Sequence, residues 1–227
     1  MREVKMFQIL KRVFSLNLEE CGEGNVVNNR DFPKCKFKVF GNNNKIIISP
    51  KAKMNGKLYV YGNDNVVQIG ENSFFKGEIK IGNPRSSFAG DAQKCNLKIG
   101  NSVYLSESCR IIIADDETKV SIGDSSAFAR GTQILASDIH SLVDKKGKLL
   151  NKASFVRIGT HVWLCTDCKI LKNSAVNDNC VVGAGSIING CFWETNALIV
   201  GNPARIVRHN INWNKLSPNL YNQQQNG

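Results

Sequence analysis

His140 stands where the chain's own repeat calls for an aliphatic residue. Ile122, Phe128 and Ile134 recur every six residues, and the next position on that count is His140, directly before the stretch "SLVDKKGKLLNKASF". A histidine that displaces a core residue at the last rung before a loop is a candidate general base, because neutral imidazole near pH 7 can take a proton from an attacking hydroxyl. The alternative is a histidine that closes a corner by hydrogen bonding. Asp138 lies two residues earlier, and in an extended segment the two side chains share a face. Its carboxylate could orient the imidazole or favour its protonated form, cap a turn, or touch a second reactant. The other two histidines, His161 and His209, receive no catalytic role: the first falls on an exposed corner of the repeat, the second beyond the motif-bearing part.

Cys165 and Cys168 spell C-x-x-C. A lone pair of this kind, with no second pair and no nearby histidine pair, is weak evidence for a metal, and none is expected. If each hexad begins with its aliphatic residue, the fifth positions after residue 158 are Val162, Cys168, Ser174, Cys180, Ser186 and Phe192. Cys168 and Cys180 thus fill slots taken mostly by small residues and read as core, where free cysteine behaves as a small hydrophobe. Eight cysteines without a secretory h-region fit free thiols in a reducing cytosol better than a disulfide framework.

The elements that would hold these residues follow from the count of six. Ile158, Leu164, Ile170, Val176, Val182 and Ile188 keep it without a break, and Ile69, Phe75, Ile81 and Ile99, Leu105, Ile111 keep it upstream. Ile48, Met54, Val60 and Val66 follow it in a shifted register. Neither an α-helix nor a plain strand has this period. Sandwich strands alternate with period two and do not hold one six-residue count for thirty residues. A parallel β-helix does: each hexad is a short strand plus a corner, three hexads make a triangular coil, and stacking creates a core that no repeat could bury alone. Gly and Asn at the corners ("GNNN", "GNDN") supply positive φ. The predicted class is all-β, a parallel β-helix over 38–204, left-handed by resemblance to known proteins with period-six repeats, with a loop at 141–155, preceded by a helix or cap within 1–20 and followed by a tail over 205–227. Val4, Phe7, Leu10, Val13 and Phe14 fall near one face of that N-terminal helix. It would cap the solenoid, or dock on an anionic membrane surface through Arg2, Lys5, Lys11 and Arg12.

At 227 residues and 42% hydrophobic, the chain has material for one substantial core, and no run approaches the roughly 20 apolar residues of a membrane helix. It is read as unexported and cytoplasmic. A net charge of +11 points to anionic partners: a phosphate-rich cofactor, an acidic glycan or an anionic membrane, with a merely solvated surface as the bland alternative. Nucleic acid is not expected, since no zinc-finger spacing, aromatic RNA-binding signature or helix-turn-helix pattern is present.

"SDIHSLVD", "IGTHVWLC", "VVGAGSII" and "VGNPARIV", in that order, resemble the hexapeptide-repeat acyltransferases, and among them the O-acetyltransferases of bacterial capsule polysaccharide and sialic acid. The resemblance covers roughly residues 120 to 215 and rests on repeats alone before that. It implies acetyl-CoA as donor, direct transfer to a sugar hydroxyl in a ternary complex, a homotrimer with each site between two solenoids, and an acceptor glycan that the excess positive charge suggests is acidic. It assigns Trp163 to the active site with His140, where an indole N–H would serve the charge growing on the thioester oxygen; packing between coils is the alternative. It implies a cofactor groove at Gly183, Ala184, Gly185 and Ser186, ending near Gly201, Asn202 and Pro203, with Arg205 and Arg208 for the phosphates. Cys165 departs from the family pattern, which has glycine there; if it lines the groove, alkylation would inhibit. An amino-sugar N-acetyltransferase shares fold, cofactor and base. A non-catalytic scaffold would not need His140, Trp163 and the "GNPARIV" tail together, and a γ-type carbonic anhydrase lacks its H-x4-H pair.

Overall fold

A computed structural model describes residues 13–15, 18–28, 32–83 and 90–225. The chain winds as a left-handed parallel β-helix with three faces. The first face stacks Lys53–Met54, the start of Phe74–Ile81, the start of Tyr104–Ile113, Ala127–Phe128, Trp163–Leu164, Val181–Val182 and Leu198–Gly201. The second runs from Leu18–Cys21 through Lys36–Phe40 and Lys57–Tyr61 to the far ends of the same two long strands, then Gln133–Leu135, Lys169–Leu171 and Ile187–Ile188. Tyr104–Ile113 bends from one face to the other, and its register shifts between Leu105 and Cys109. The third face is the separate ladder from Val26–Val27 to Cys191–Phe192.

The residues of the six-residue count, Val66 excepted, point inward. Phe75, Leu105, Phe128, Leu164, Val182 and Ile199 lie on successive rungs of the first face, all at most 1% exposed. Burying each such side chain contributes about 1.5–3 kcal/mol, and no single coil could do so alone. Val162, Cys168, Ser174, Cys180 and Ser186 are likewise buried, as the fifth positions predicted, while Phe192 at the last coil is half-buried.

Coil length varies. Near the C-terminus successive corners are 18 residues apart, as Thr160 and Asp178 show. In the first coils the step is 19 between Asn25 and Asn44 and then 21 between Asn44 and Asn65. The longer step corrects one expectation: Ile46 and Ile48 pair with Val67 and Ile69, so Val67 is inside and Val66 is not. The Asn-rich corners absorb the extra residues. Asn25, Asn44 and Asn65 form a stacked amide column, with Asn44 and Asn65 fully buried. Each side chain donates to the column or to a backbone carbonyl and accepts from the next coil, closing on Cys95 N–H at 2.9 Å. Buried amides of this kind are stable only because every donor and acceptor is satisfied.

The parallel ladder begins at Leu18, ahead of the residue-38 boundary read from the sequence. Residues 1–12 of the expected N-terminal helix, and with them Arg2, Lys5, Lys11 and Arg12, lie outside the described residues. Val13–Ser15 is a strand, antiparallel to Leu18–Cys21, where a helix was expected. The reason is the open edge of the first rung, whose N–H and C=O groups need partners that a strand supplies and a helix does not. At the other end, Ala204–Arg208 folds back antiparallel on Leu198–Gly201 across a cis Asn202–Pro203 bond and ends the parallel stacking. The following tail carries a helix over Pro218–Gln225. Among the described residues no helix is long and apolar enough to cross a membrane.

Candidate functional site

His140 leaves the second face just past Gln133–Leu135, on a turn rather than an extended strand. Its N–H donates to the Asp138 carbonyl at 2.7 Å, closing a three-residue turn whose centre, Ile139, has φ +67°. That is the rarer, strained hand of the γ-turn. Ile139 is the one β-branched residue in the left-handed region among the described residues, an arrangement that persists only where its surroundings enforce it. The enforcement is visible. Ile139 N–H donates to Ser137 Oγ at 3.0 Å, and Ser137 Oγ donates to Asp115 Oδ1 at 2.7 Å. From the far end of the loop, Asn151 donates to the His140 carbonyl and to Asp138 Oδ2, both at 2.8 Å, and accepts the Leu142 N–H at 2.8 Å.

The same-face reading of Asp138 and His140 therefore fails, because it assumed extended backbone. Asp138 Oδ2 instead also receives Lys172 Nζ at 2.8 Å. Burial pushes the Asp138 carboxyl up, but the bonds from Lys172 and Asn151 and the charge of Lys172 outweigh it and hold the group below its ordinary range. His140 itself is exposed and lines a cleft of about 460 Å³ with Asp138, Ile139, Asp116, Asn151 and Lys152.

Trp163 lies on the first face, in a different cleft. It is 39% exposed and meets Trp213 from the C-terminal tail, ring centroids 5.8 Å apart. Trp213 also stacks on His161 at 4.5 Å and donates its indole N–H to the His161 carbonyl at 2.8 Å. The corner carrying His161 is half-buried, not exposed. With Asn212, Asn214, Leu216 and Tyr221 the two tryptophans line a cleft of about 500 Å³. His209 contacts Glu194, away from both clefts.

The residues assigned to the cofactor groove share the first face with Trp163. Trp163, Val181, Leu198 and Arg208 occupy one row of the ladder. Cys165, Gly183, Val200 and Arg205 lie two residues further along, past the inward row Leu164, Val182 and Ile199, linked by Cys165 N–H to Val182 and Gly183 N–H to Ile199. Ala184 and Gly185 are exposed beside this row, as are Gly201, Asn202 and Pro203 at its end. At Gly183 a Cβ would stand 2.6 Å from Val200 Cγ1, so that side chain would have to turn; at Gly185 a Cβ would meet nothing, but its φ of +68° favours glycine.

Ser186 is a correction: it is 1% exposed, and its hydroxyl accepts the Gly201 N–H at 3.0 Å. It ties the terminal hairpin from within and presents nothing to a groove. The hexad count had already put it in an inward slot.

Cys165 is half-buried and burial pushes its thiol up; Cys168 is buried, donates to the Gly183 carbonyl at 3.2 Å, and is pushed up to about 12, again by burial. Thiols so raised are poor nucleophiles at neutral pH. Among the described residues no three His, Cys, Asp or Glu side chains converge as a metal site would require.

Sequence reasoning missed Asn151, Ser137, Asp115 and Lys172 around His140, and Trp213 beside Trp163. Only Trp213 carried a signal, as the lone aromatic in the polar run "NINWNK". Within one chain, no described residue lines both the His140 cleft and the Trp163 cleft.

No family model matches the chain. It is 34% identical over 190 residues to the polysialic acid O-acetyltransferase of Neisseria meningitidis, covering 77% of this chain and 87% of that protein. It superposes on the crystal structure of the polysialic-acid-specific acetyltransferase NeuO with TM-score 0.77 and 26% identity, covering 92% of this chain and 98% of that one. The polysialic acid O-acetyltransferase OatWY gives TM-score 0.78 and 27% identity, over 92% and 97%. The repeat, the order of motifs and this likeness over most of the length agree, and the chain belongs to the hexapeptide-repeat acyltransferases, alongside the polysialic acid O-acetyltransferases.

Proposed function

We propose that the protein O-acetylates a sugar hydroxyl of an acidic bacterial surface polysaccharide, with acetyl-CoA as donor. The observation that carries this reading is the strained turn presenting His140 at the point where the core repeat fails. An exposed imidazole held by bonds to its own backbone, on a rigid solenoid, suits a general base that must meet a hydroxyl in one geometry.

The first face fits the donor. Its exposed backbone at Ala184 and Gly185 leaves room for a pantetheine arm, and Arg205 and Arg208, which have no carboxylate partner among the described residues, would hold phosphates. When bound, acetyl-CoA supplies an acetyl thioester. His140 takes the proton of the acceptor hydroxyl as its oxygen attacks, and returns it to the sulfur that departs when the thioester C–S bond breaks. Trp163, whose indole N–H has no acceptor among the described residues, donates toward the oxygen on which negative charge grows. Lys172, Asn151 and Asp138 hold the turn and do not transfer protons.

His140 and Trp163 lie in separate clefts of one chain, so the complete site forms between two copies. A cyclic homotrimer supplies that arrangement three times over. Exposed Leu142, Val143, Leu149 and Leu150 on the loop after His140, 47% to 60% accessible in one chain, would be covered in such an assembly. Eight free thiols favour a reducing, cytoplasmic location.

The test is acetyl transfer, read by mass, from acetyl-CoA to acidic and neutral capsule-type glycans by wild type and His140→Ala. Transfer to the acidic acceptors that collapses in the variant supports the reading. A variant as active as wild type removes His140 as base, and failure of the wild type to bind acetyl-CoA removes the enzyme reading.

A further inference from the structure

Lysine repeats on the outer side of the first coils in a way that the fold itself does not favour. Lys36 and Lys57 are directly paired on adjacent strands of the second face. Neighbouring strands lie about 4.8 Å apart, and like charges directly opposite one another destabilise a sheet. Lys34 and Lys76 join them around one cleft of about 560 Å³. Its floor is bare backbone at Gly56 and Gly77, where a Cβ would stand 2.4 Å from the Gly77 oxygen and 2.2 Å from the Cys109 oxygen respectively. The packing of the coils thus keeps the floor open.

Several outward lysines elsewhere are paired. Lys38 meets Glu19 at 2.6 Å, Lys51 meets Glu71 at 3.0 Å and Lys172 meets Asp138 at 2.8 Å. In the cleft, the single carboxylate is Glu107, and it contacts Lys76. Lys34, Lys36 and Lys57 have no ion-pair partner among the described residues. The next rung after Lys57 carries Glu78, whose carboxylate receives Arg110 Nε at 3.2 Å.

We propose that this cleft anchors a stretch of the acidic polysaccharide at a distance from the sugar being acetylated. The inference rests on the acidic-acceptor reading above and adds a second contact to it. Four lysines, the Asn55 amide and the Ser108 hydroxyl, with bare peptide between them, match the carboxylates and hydroxyls of an acidic sugar chain. No aromatic side chain lines the cleft, so it lacks the platform on which nucleic acid bases stack. No large apolar side chain is among the lining residues either. The cleft lies on the same sheet face as the His140 turn, further along the stack of coils. Lys80 and Arg110 follow on the same face, and both line a cleft with Asp138 and Ile139 beside the His140 turn.

The experiment uses the full chain carrying Lys36→Gln and Lys57→Gln together. Both lysines are exposed, so the variant should fold, and losing a like-charge pair should leave Tm equal or higher. Long acidic polymer (polysialic acid or a polyuronic acid) and an acidic trisaccharide are compared as acceptors across a salt series, with calorimetric binding of the polymer in parallel. The expected result is a KM for polymer raised roughly tenfold with a shallower salt dependence, while kcat and the KM for trisaccharide stay as in wild type.

An unchanged KM for polymer overturns the proposal, and so do equal losses on long and short acceptors. A variant that loses duplex DNA or anionic vesicles but keeps the polymer assigns the cleft to another partner and overturns it too. If wild type binds polymer through Lys36 and Lys57 yet transfers no acetyl, the anchor stands and the catalytic reading falls. If it neither binds nor modifies polymer, both fall.

Discussion

At the scale of single residues, the turn that carries His140 is held by side chains around it. Asn151 holds the His140 carbonyl, the Leu142 N–H and the Asp138 carboxylate at once. Asn151→Ala should lower kcat by about 10- to 100-fold, because a small misplacement of the base is costly, while KM for acetyl-CoA and the Tm change little. Steady-state kinetics with a thermal melt checks the split; equal losses in kcat and stability would show a merely structural role. Asp138 sets a pH dependence. Its folded pKa lies below its unfolded one, so the stability it adds is fully present above the unfolded value near 3.9 and is lost as pH falls through the lowered value. The stability difference between wild type and Asp138→Asn should therefore be constant above about pH 5 and shrink toward zero in stronger acid, measured by denaturant unfolding at each pH. His140 was legible in the sequence because it breaks a period. Its clamp was not, because Ser137, Asp115, Asn151 and Lys172 are ordinary polar residues whose bonds to the turn exist only once the chain has folded.

At the scale of elements, the corner column and the loop have different origins. Asn65 is fully buried and bonds to Asn44, Ala92 and Cys95. Asn65→Ala leaves the Cys95 N–H and the Ala92 carbonyl without those partners, and each orphaned buried group costs about 1–3 kcal/mol. Denaturant unfolding should show a loss of at least about 2 kcal/mol with acetyl-CoA affinity retained, since the column is remote from the first-face rows. The "GNNN" and "GNDN" runs were readable as corners, but the 21-residue step they produce was not, and so Val66 was placed one residue out of register. The N-terminal segment was misread for a related reason. Val13 and Phe14 suit a strand as well as a helix, and the open edge of the first rung decides between them.

For the whole molecule, the point that matters is that one chain places His140 and Trp163 in different clefts. If the site forms between copies, His140→Ala and Trp163→Ala are each inactive alone. Unfolding them together and refolding an equimolar mixture should restore about a quarter of wild-type activity, because random assembly rebuilds that share of intact sites. No recovery in a mixture shown to have exchanged subunits would place both residues in one chain's site.

The sequence by itself determined the repeat of the solenoid. A period of six with inward aliphatic residues calls for stacked coils of short strands, with Asn and Gly at the corners and His140 at the break, while the left hand came from likeness to known period-six repeats. The family motifs supplied Trp163 and the "GNPARIV" hairpin. Only the tertiary structure decided which polar groups meet: the strained Ile139 turn and its clamp, the inward hydroxyl of Ser186, Trp213 against Trp163, and the unneutralised pair Lys36 and Lys57. The physical reason is range. A repeat is written in neighbouring residues, whereas these contacts join positions that only stacking of coils brings within bonding distance.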